Sequence, residues 1–461
     1  MTDKKVCELP VFNQWLWGFG GLGYALMERL LITYAVFFYL LPSDYGVHDL
    51  VTRQTYFGIF TIMGLAILMG RLVDGISDPL VATLSDRTKS KLGRRKPFLL
   101  VSALPMCTAA VLVFYPPFIG ETSMLNGLWA ASLWLVFYVF FTGYITPYFS
   151  LISELGHTNS LRINFGTIHA LFAILGMVIA TIIFPLLVTA FREGGMDVRP
   201  AYQFTALIFG AIALVSLYIT AFSYDEKKHC HPAEAPISGM WSSMKSILSI
   251  SAFRTFLIGE LLLQFAIFML NLGLAYYVTV LFGMQESFLT ILGGVLIGVA
   301  LISFPIVNKM SKKIGKKKPI ILGVVIMFSA CFTIYIVSFN MTDFGFYIAL
   351  AMFGLGGITL ASCTILTLPV YADLAREESL RTGVKREAMF YASRNLPLKF
   401  TIALAGVCFA YLLSDRFDEF FGIQLSILFV AIFSLLSLFF FLAYPEKEVE
   451  ESLQKHEMLN E

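Results

Sequence analysis

Runs of about 20 or more apolar residues recur along nearly the whole of this chain, and few folds can accommodate that pattern. At 1.5 Å per residue, a helix needs roughly 20 residues to cross the ~30 Å hydrocarbon core of a bilayer. A water-soluble fold would have to bury all these runs at once, behind a surface the chain lacks the charge to build. Only 14% of the 461 residues are charged and 57% are hydrophobic, against about 25% charged in soluble chains. The expected fold class is therefore an all-α membrane protein with twelve transmembrane helices. By the length criterion they lie at about 12–41, 54–84, 98–119, 125–152, 163–191 and 201–223, then 254–281, 288–309, 319–340, 344–372, 389–414 and 420–443.

Composition shifts divide the chain. The stretch 224–253 turns polar, with His229, Pro232 and Pro236, and carries a short amphipathic piece around Met240–Ile250. It separates an N-terminal six-helix bundle, 1–223, from a C-terminal one, 254–445, and a charged tail follows over 446–461. Lys and Arg gather in short loops on the cytoplasmic side of a membrane. Here they fill the loop after the second helix and the loop at 309–318, while Asp44, Glu121, Asp197, Glu286 and Asp343 stand in alternating loops. Both termini, the linker and the tail are thus expected in the cytoplasm, with the plasma (inner) membrane as the address. Topology accounts for the basic runs, so no nucleic-acid partner is expected. The first apolar segment is too long for a signal peptide and lacks a small-residue cleavage site, so it is expected to stay as a helix. Six scattered cysteines show no pairing pattern and predict no disulfide framework. His229-Cys230-His231 has the composition of a metal tract, but a flexible loop with chance histidines is the better reading, and no metal beyond a Na⁺ site is expected.

The chain also repeats itself. SKLGRRKPFLL at 90–100 matches KKIGKKKPIIL at 312–322, Pro147 answers Pro369, and Glu154 followed by Ser160-Leu161-Arg162 answers Asp373 followed by Ser379-Leu380-Arg381. Two six-helix halves in the same orientation, each with a basic loop between its second and third helices, form the parallel-repeat layout of major facilitator transporters.

Ionisable groups inside such helices cost a contested ~2.5 kcal/mol or more each, and they mark ion or substrate paths. The second predicted helix carries Arg71, Asp74 and Asp78 on one face, since residues three and four apart are neighbours on a helix. Two carboxylates on consecutive turns make an oxygen pocket for a hard cation such as Na⁺, and their mutual repulsion would equally let one of them hold a proton. A structural ion pair with Arg71 is the plainer alternative. Lys399, on the eleventh helix with Asn395 one turn before it and Arg394 alongside, is the candidate compensating charge. Tyr24 and Glu28 share a face of the first helix, and Glu260, Gln264 and Asn271 form a stripe on the seventh. Together with Asn395 these are the substrate-cavity candidates. His169 reads as a packing histidine or a proton relay. Asp86, Arg87, Arg94, Arg95, Lys96, Asp373, Arg386 and Glu387 surround the basic loop and its counterpart, as a cytoplasmic gate. There is no GxSxG elbow, HExxH or Walker loop, so neither an enzyme nor an ATP-driven pump is expected.

Taken together, these residues resemble the glycoside–pentoside–hexuronide:cation symporters, the family of the melibiose carrier. That family's signature has Arg, then Asp, then Asp-Pro on helix two, then a basic loop ending in Lys-Pro and an aromatic. Arg71, Asp74, Asp78-Pro79 and Lys96-Pro97-Phe98 match it, and Asp373, Arg386, Glu387 and Lys399 match a second signature beyond helix ten. The resemblance implies that the helix-two acids hold Na⁺, Li⁺ or H⁺, with the lysine opposite them across the cavity. In the melibiose carrier an Asp on helix one and another on helix four bind the galactoside. Aligning FGGLG and TPYFSL puts Ala25 and Ile145 at those positions, so the coupling groups are kept while galactoside recognition is changed, and Glu28 is the candidate substitute. The expected function is symport of a sugar or glycoside with Na⁺ or H⁺ by alternating access, by a monomer with no other cofactor. A lysophospholipid or other amphiphile is the alternative cargo, since a related branch of the superfamily moves such molecules with the same acids. A sensor that kept the fold without transport is the third reading.

Overall fold

The computed structural model describes residues 7–156, 158–230, 240–340, 343–382 and 387–460. Long helices dominate it. They are α1 (Val11–Tyr39), α2 (Ile62–Arg87), α3 (Lys96–Leu112), α4 (Met124–Leu155), α5 (Asn159–Glu193) and α6 (Val198–Phe222), then α7 (Ser251–Leu281), α8 (Phe288–Ile314), α9 (Lys317–Val337), α10 (Asp343–Thr382), α11 (Glu387–Leu412) and α12 (Glu419–Ala443). Among the described residues, ten helices are long and apolar enough to cross a membrane. Of the other two, α3 is apolar but has 17 residues, and α2 is the helix that carries Arg71, Asp74 and Asp78.

Two boundaries differ instructively from the sequence expectation. α2 starts at Ile62 rather than near 54. Phe57 and Gly58 take positive φ values of 49° and 87°, and Tyr56 and Phe60 exchange backbone hydrogen bonds of 2.6 and 3.0 Å. The apolar run therefore begins as a tight turn, and Thr61 then caps the helix by accepting from the Gly64 amide. α10 runs through 40 residues, about 60 Å at 1.5 Å each. Its last turns reach beyond the apolar stretch and carry Asp373.

The chain divides into two compact units, Met1–Pro236 and Ile237–Glu461. Within the first, α1 packs on α5 and α6, α2 on α4, and α3 on α4 and α6. Within the second, α7 packs on α11 and α12, α8 on α10, and α9 on α10 and α12. The same five pairings recur, so the repeat read from short sequence matches extends through each unit. The first helix of each unit also contains a π-helical turn, Leu30–Ala35 ahead of the last turn of α1 and Tyr277–Leu281 at the end of α7. Two segments of the 224–253 linker are packed: Glu226–His229 lies against the first unit, and Met240–Ser249 lies against α7 and α11 of the second. The tail forms a helix, Glu446–Asn460, along α10.

Glycines set how closely α1 approaches its neighbours. A Cβ at Gly21 would stand 2.7 Å from the carbonyl oxygen of His169, and one at Gly23 would stand 2.9 Å from that of Ala213. These are backbone atoms that cannot swing aside, so the GFGGLG run brings α1 onto α5 and α6 more tightly than alanine would allow.

The most closely duplicated feature is an acidic cap. The first residues of α3 and α9, and those just before them, have amide groups without helical partners, and a carboxylate that follows the sixth helix of each unit accepts from them. Glu226 accepts from the amides of Arg95 and Lys96 at 2.9 and 2.8 Å, and Glu446 accepts from the amide of Lys317 at 2.8 Å. Lys96 Nζ donates to the carbonyl of Tyr224, and Lys317 Nζ to that of Tyr444, each at 2.8 Å. Gly93 and Gly315 make the preceding turns at φ of 109° and 85°. A Cβ on Gly93 would come within 2.3 Å of the Glu226 carboxylate. Gly93→Ala should therefore lower stability by about 1–3 kcal/mol, through backbone strain and collision together. Gly195, also at positive φ but with open space around it, is the control. In detergent melting curves Gly93→Ala should lose more than Gly195→Ala.

Candidate cation site and charge network

The two acids of α2 sit opposite two threonines of α4. Thr142 donates to Asp74 at 2.9 Å, and Thr146 donates to Asp78 at 3.2 Å. In each helix the two residues are one turn apart, so the pairs form two rungs of a ladder. Gly70 lets the helices approach, because a Cβ there would lie 2.8 Å from the Tyr138 ring. Asp74 is buried and Asp78 half-buried. Arg71 spans the distance to α1: it lies 3.4 Å from Glu28 and 3.6 Å from Asp74, with its guanidinium carbon 4.7 Å from the Tyr138 ring centre. The ion pair of Arg71 with Asp74 and the hydroxyl ladder to α4 thus occur together.

The second unit has its own charge cluster. Glu260 of α7, 1% exposed, is held by both nitrogens of the Arg394 fork on α11 and accepts from Tyr371 of α10 at 2.6 Å. Arg394 also donates to Asn395 at 2.9 Å. Of the predicted stripe on α7, Glu260 is taken up in this pairing, Gln264 is half-buried, and Asn271 donates to the carbonyl of Ile267. Lys399 is half-buried on α11. Arg386 and the side chain of Glu387 lie outside the described residues.

At the basic loop, Arg95 bonds Asp86, Ser85 and Glu154, and Arg94 reaches the same Glu154 oxygen at 3.2 Å. Arg87 is exposed. In the second unit Lys316 pairs with Asp373, so the Glu154/Asp373 correspondence is realised as matching ion pairs. Tyr24 stacks on His169, whose other nitrogen meets Tyr148. Sequence reasoning did not find Thr142, Thr146, Tyr371, Glu226 or Glu446. The threonine spacing, matching that of the two aspartates, was the available signal.

Matched helical units with paired carboxylates inside one of them define a membrane transporter rather than an enzyme. Residues 16–445 match the family described as MFS/sugar transport protein, and the chain belongs to that family. It is 22% identical over 426 residues to an uncharacterized symporter of Bacillus subtilis (strain 168), covering 88% of this chain and 83% of that protein. It is 23% identical over 430 residues to the lactose permease of Lactobacillus helveticus, covering 89% of this chain and 64% of that one. The D-xylose-proton symporter shares the fold, with a TM-score of 0.69 at 13% identity, over 95% of this chain and 99% of that chain. The likeness to glycoside–pentoside–hexuronide:cation symporters read from α2 holds.

Two expectations follow. Removing one partner of a buried pair costs about 3–5 kcal/mol, while losing a hydrogen bond to a charged group costs about 1.5–3. Glu260→Ala should therefore lower the melting midpoint more than Tyr371→Phe, and adding Arg394→Met to Glu260→Ala should restore part of the loss. Glu154, past the apolar stretch Met124–Ile152, has one buried oxygen with no partner among the described residues. Burial pushes its carboxyl above the ordinary range despite Arg95 and Arg94. A carboxyl raised in this way stabilises the fold fully below its unfolded pKa of about 4.3, and that contribution is lost as pH climbs through the folded value. Stability measured against pH should thus fall relative to Glu154→Gln as pH rises from about 4.

Proposed function

We propose that the protein is a symporter that couples Na⁺ or H⁺ to uptake of a sugar or glycoside, with its termini in the cytoplasm and the site open to each side of the membrane in turn. The observation that carries this reading is the two-rung ladder of Asp74–Thr142 and Asp78–Thr146. Carboxylate and hydroxyl oxygens are the ligands a hard cation prefers. Each threonine can redirect its hydroxyl proton to a backbone carbonyl one turn back and offer a lone pair to an incoming ion. Arg71 offsets part of the negative charge while the site is empty, and Glu28 holds Arg71 when a cation takes its place at Asp74. Lys399 keeps the charge-coupling role expected from its position. The name of the lactose permease relative supports a sugar as cargo.

Purified protein in liposomes should accumulate labelled lactose or a related glycoside when a Na⁺ or H⁺ gradient is imposed. Asp78→Asn should abolish gradient-driven accumulation. Thr146→Val should weaken the apparent affinity for the coupling ion about ten-fold, the size of one lost charge-assisted contact. Lys399→Ala should lower coupled uptake. Accumulation by Asp78→Asn equal to the parent protein would refute the assignment.

A further inference from the structure

Phe57 is an outlier twice over. It holds a φ of 49°, in the left-handed region that bulky residues avoid, and it is 95% exposed. Glycine or asparagine would make this turn with less strain. Such strain clusters where a site has a use, and the fold gains no packing from the ring in return. The turn is nonetheless well built. Tyr56 and Phe60 exchange backbone hydrogen bonds across it, Gly58 follows at a φ of 87°, and Thr61 caps α2 directly behind it. Ile59, beside the tip, is 49% exposed. The result is a braced loop end that holds two apolar side chains outward.

The surroundings of the tip identify what it meets. α1 crosses the membrane once before the turn, so the turn lies at the face opposite the start of α1. Behind it, Ile62, Met69, Ile76 and Leu80 fall on the side of α2 away from Asp78. Met69, Ile76 and Leu80 are exposed, and an exposed apolar stripe on a helix set among membrane spans faces hydrocarbon. Gly127 of α4 leaves the room that the Ile62 side chain occupies, so α4 begins at the same level as α2. The exposed residues of its first turns, Met124, Leu125 and Leu128, are apolar as well. No charged residue stands between Arg53 and Arg71, and Arg53 is turned to Asp49 and the carbonyl of Leu41. The tip therefore continues the lipid-facing surface of α2 and α4 without a break.

We propose that the turn from Tyr56 to Phe60 is a lipid anchor, with Phe57 and Ile59 entering the boundary between head groups and acyl chains on that side of the bilayer. Aromatic and aliphatic side chains bury into this boundary while the backbone that carries them stays at head-group level. The anchor fixes the depth at which α2 starts. Because α2 also carries Asp74 and Asp78, the lipid contact sets one end of the helix on which the candidate cation site is built.

The test places tryptophan at the tip, as Phe57→Trp, and reads its emission in phosphatidylcholine liposomes after subtracting the spectrum of the parent protein. His48→Trp, on the exposed polar part of the same loop, is the comparison. Phosphatidylcholine brominated near the top of its acyl chains should quench the difference emission of Phe57→Trp by more than half, and aqueous iodide should leave it nearly unchanged. His48→Trp should show the reverse. In a second measurement, Phe57→Asn should melt in detergent no lower than the parent, because Asn tolerates the left-handed backbone and no packing is lost. Iodide quenching of Phe57→Trp equal to that of His48→Trp would put the tip in water and overturn the anchor. Quenching by neither reagent would mean that protein covers the tip, such as a second copy of this chain. A clear loss of stability in Phe57→Asn would make Phe57 a packing residue. Either of these results overturns the anchor too.

Discussion

Charge that enters hydrocarbon has to be met by protein, because the solvent there offers nothing. The interior of this molecule is arranged around that constraint. Arg71 answers to Glu28 and Asp74 in one unit, and Arg394 answers to Glu260 in the other. Each arginine also lies against a tyrosine ring, Tyr138 at 4.7 Å and Tyr371 at 5.6 Å. The two clusters differ in kind. Glu260 is closed in by a two-pronged guanidinium and a hydroxyl, and suits a fixed tie between helices. Asp74 and Asp78 accept from the hydroxyls of Thr142 and Thr146, and Asp74 lies 3.6 Å from Arg71.

The duplicated architecture explains why the ends of the bundles look so much alike when their interiors do not. Every α3 or α9 must begin somewhere, and its first amides need an acceptor. Both units meet that need with a glutamate from beyond their sixth helix and a glycine that clears room for it. The middle of each unit carries no such backbone obligation, so its polar residues are free to differ.

Much of this was legible in the sequence, for identifiable reasons. Apolar runs fix helices by length alone, and the GRRKP and GKKKP loops are long enough to reveal the repeat. The two aspartates of α2 stand out because carboxylates are rare in such surroundings. The partners were harder to see. Glu260 and Arg394 are 134 residues apart, and nothing in either neighbourhood names the other. Threonines are common in apolar helices, so Thr142 and Thr146 gain meaning only once α2 and α4 are side by side. Tyr224-Asp225-Glu226 and Tyr444-Pro445-Glu446 do correspond, but the match is too short to rise above chance. The start of α2 was misplaced because an apolar run does not reveal a turn held by a residue at positive φ.

The caps have a consequence for how the chain is made. Glu226 follows Lys96, and Glu446 follows Lys316, by 130 residues each. At about 5–20 residues per second, a ribosome takes roughly 7–26 seconds to deliver each glutamate after the helix start it serves. During that interval the start of the third helix in each half is exposed to water or to the insertion machinery, and the half closes only when its last helix has emerged. Order of synthesis and order of closure are thus tied together twice in one polypeptide.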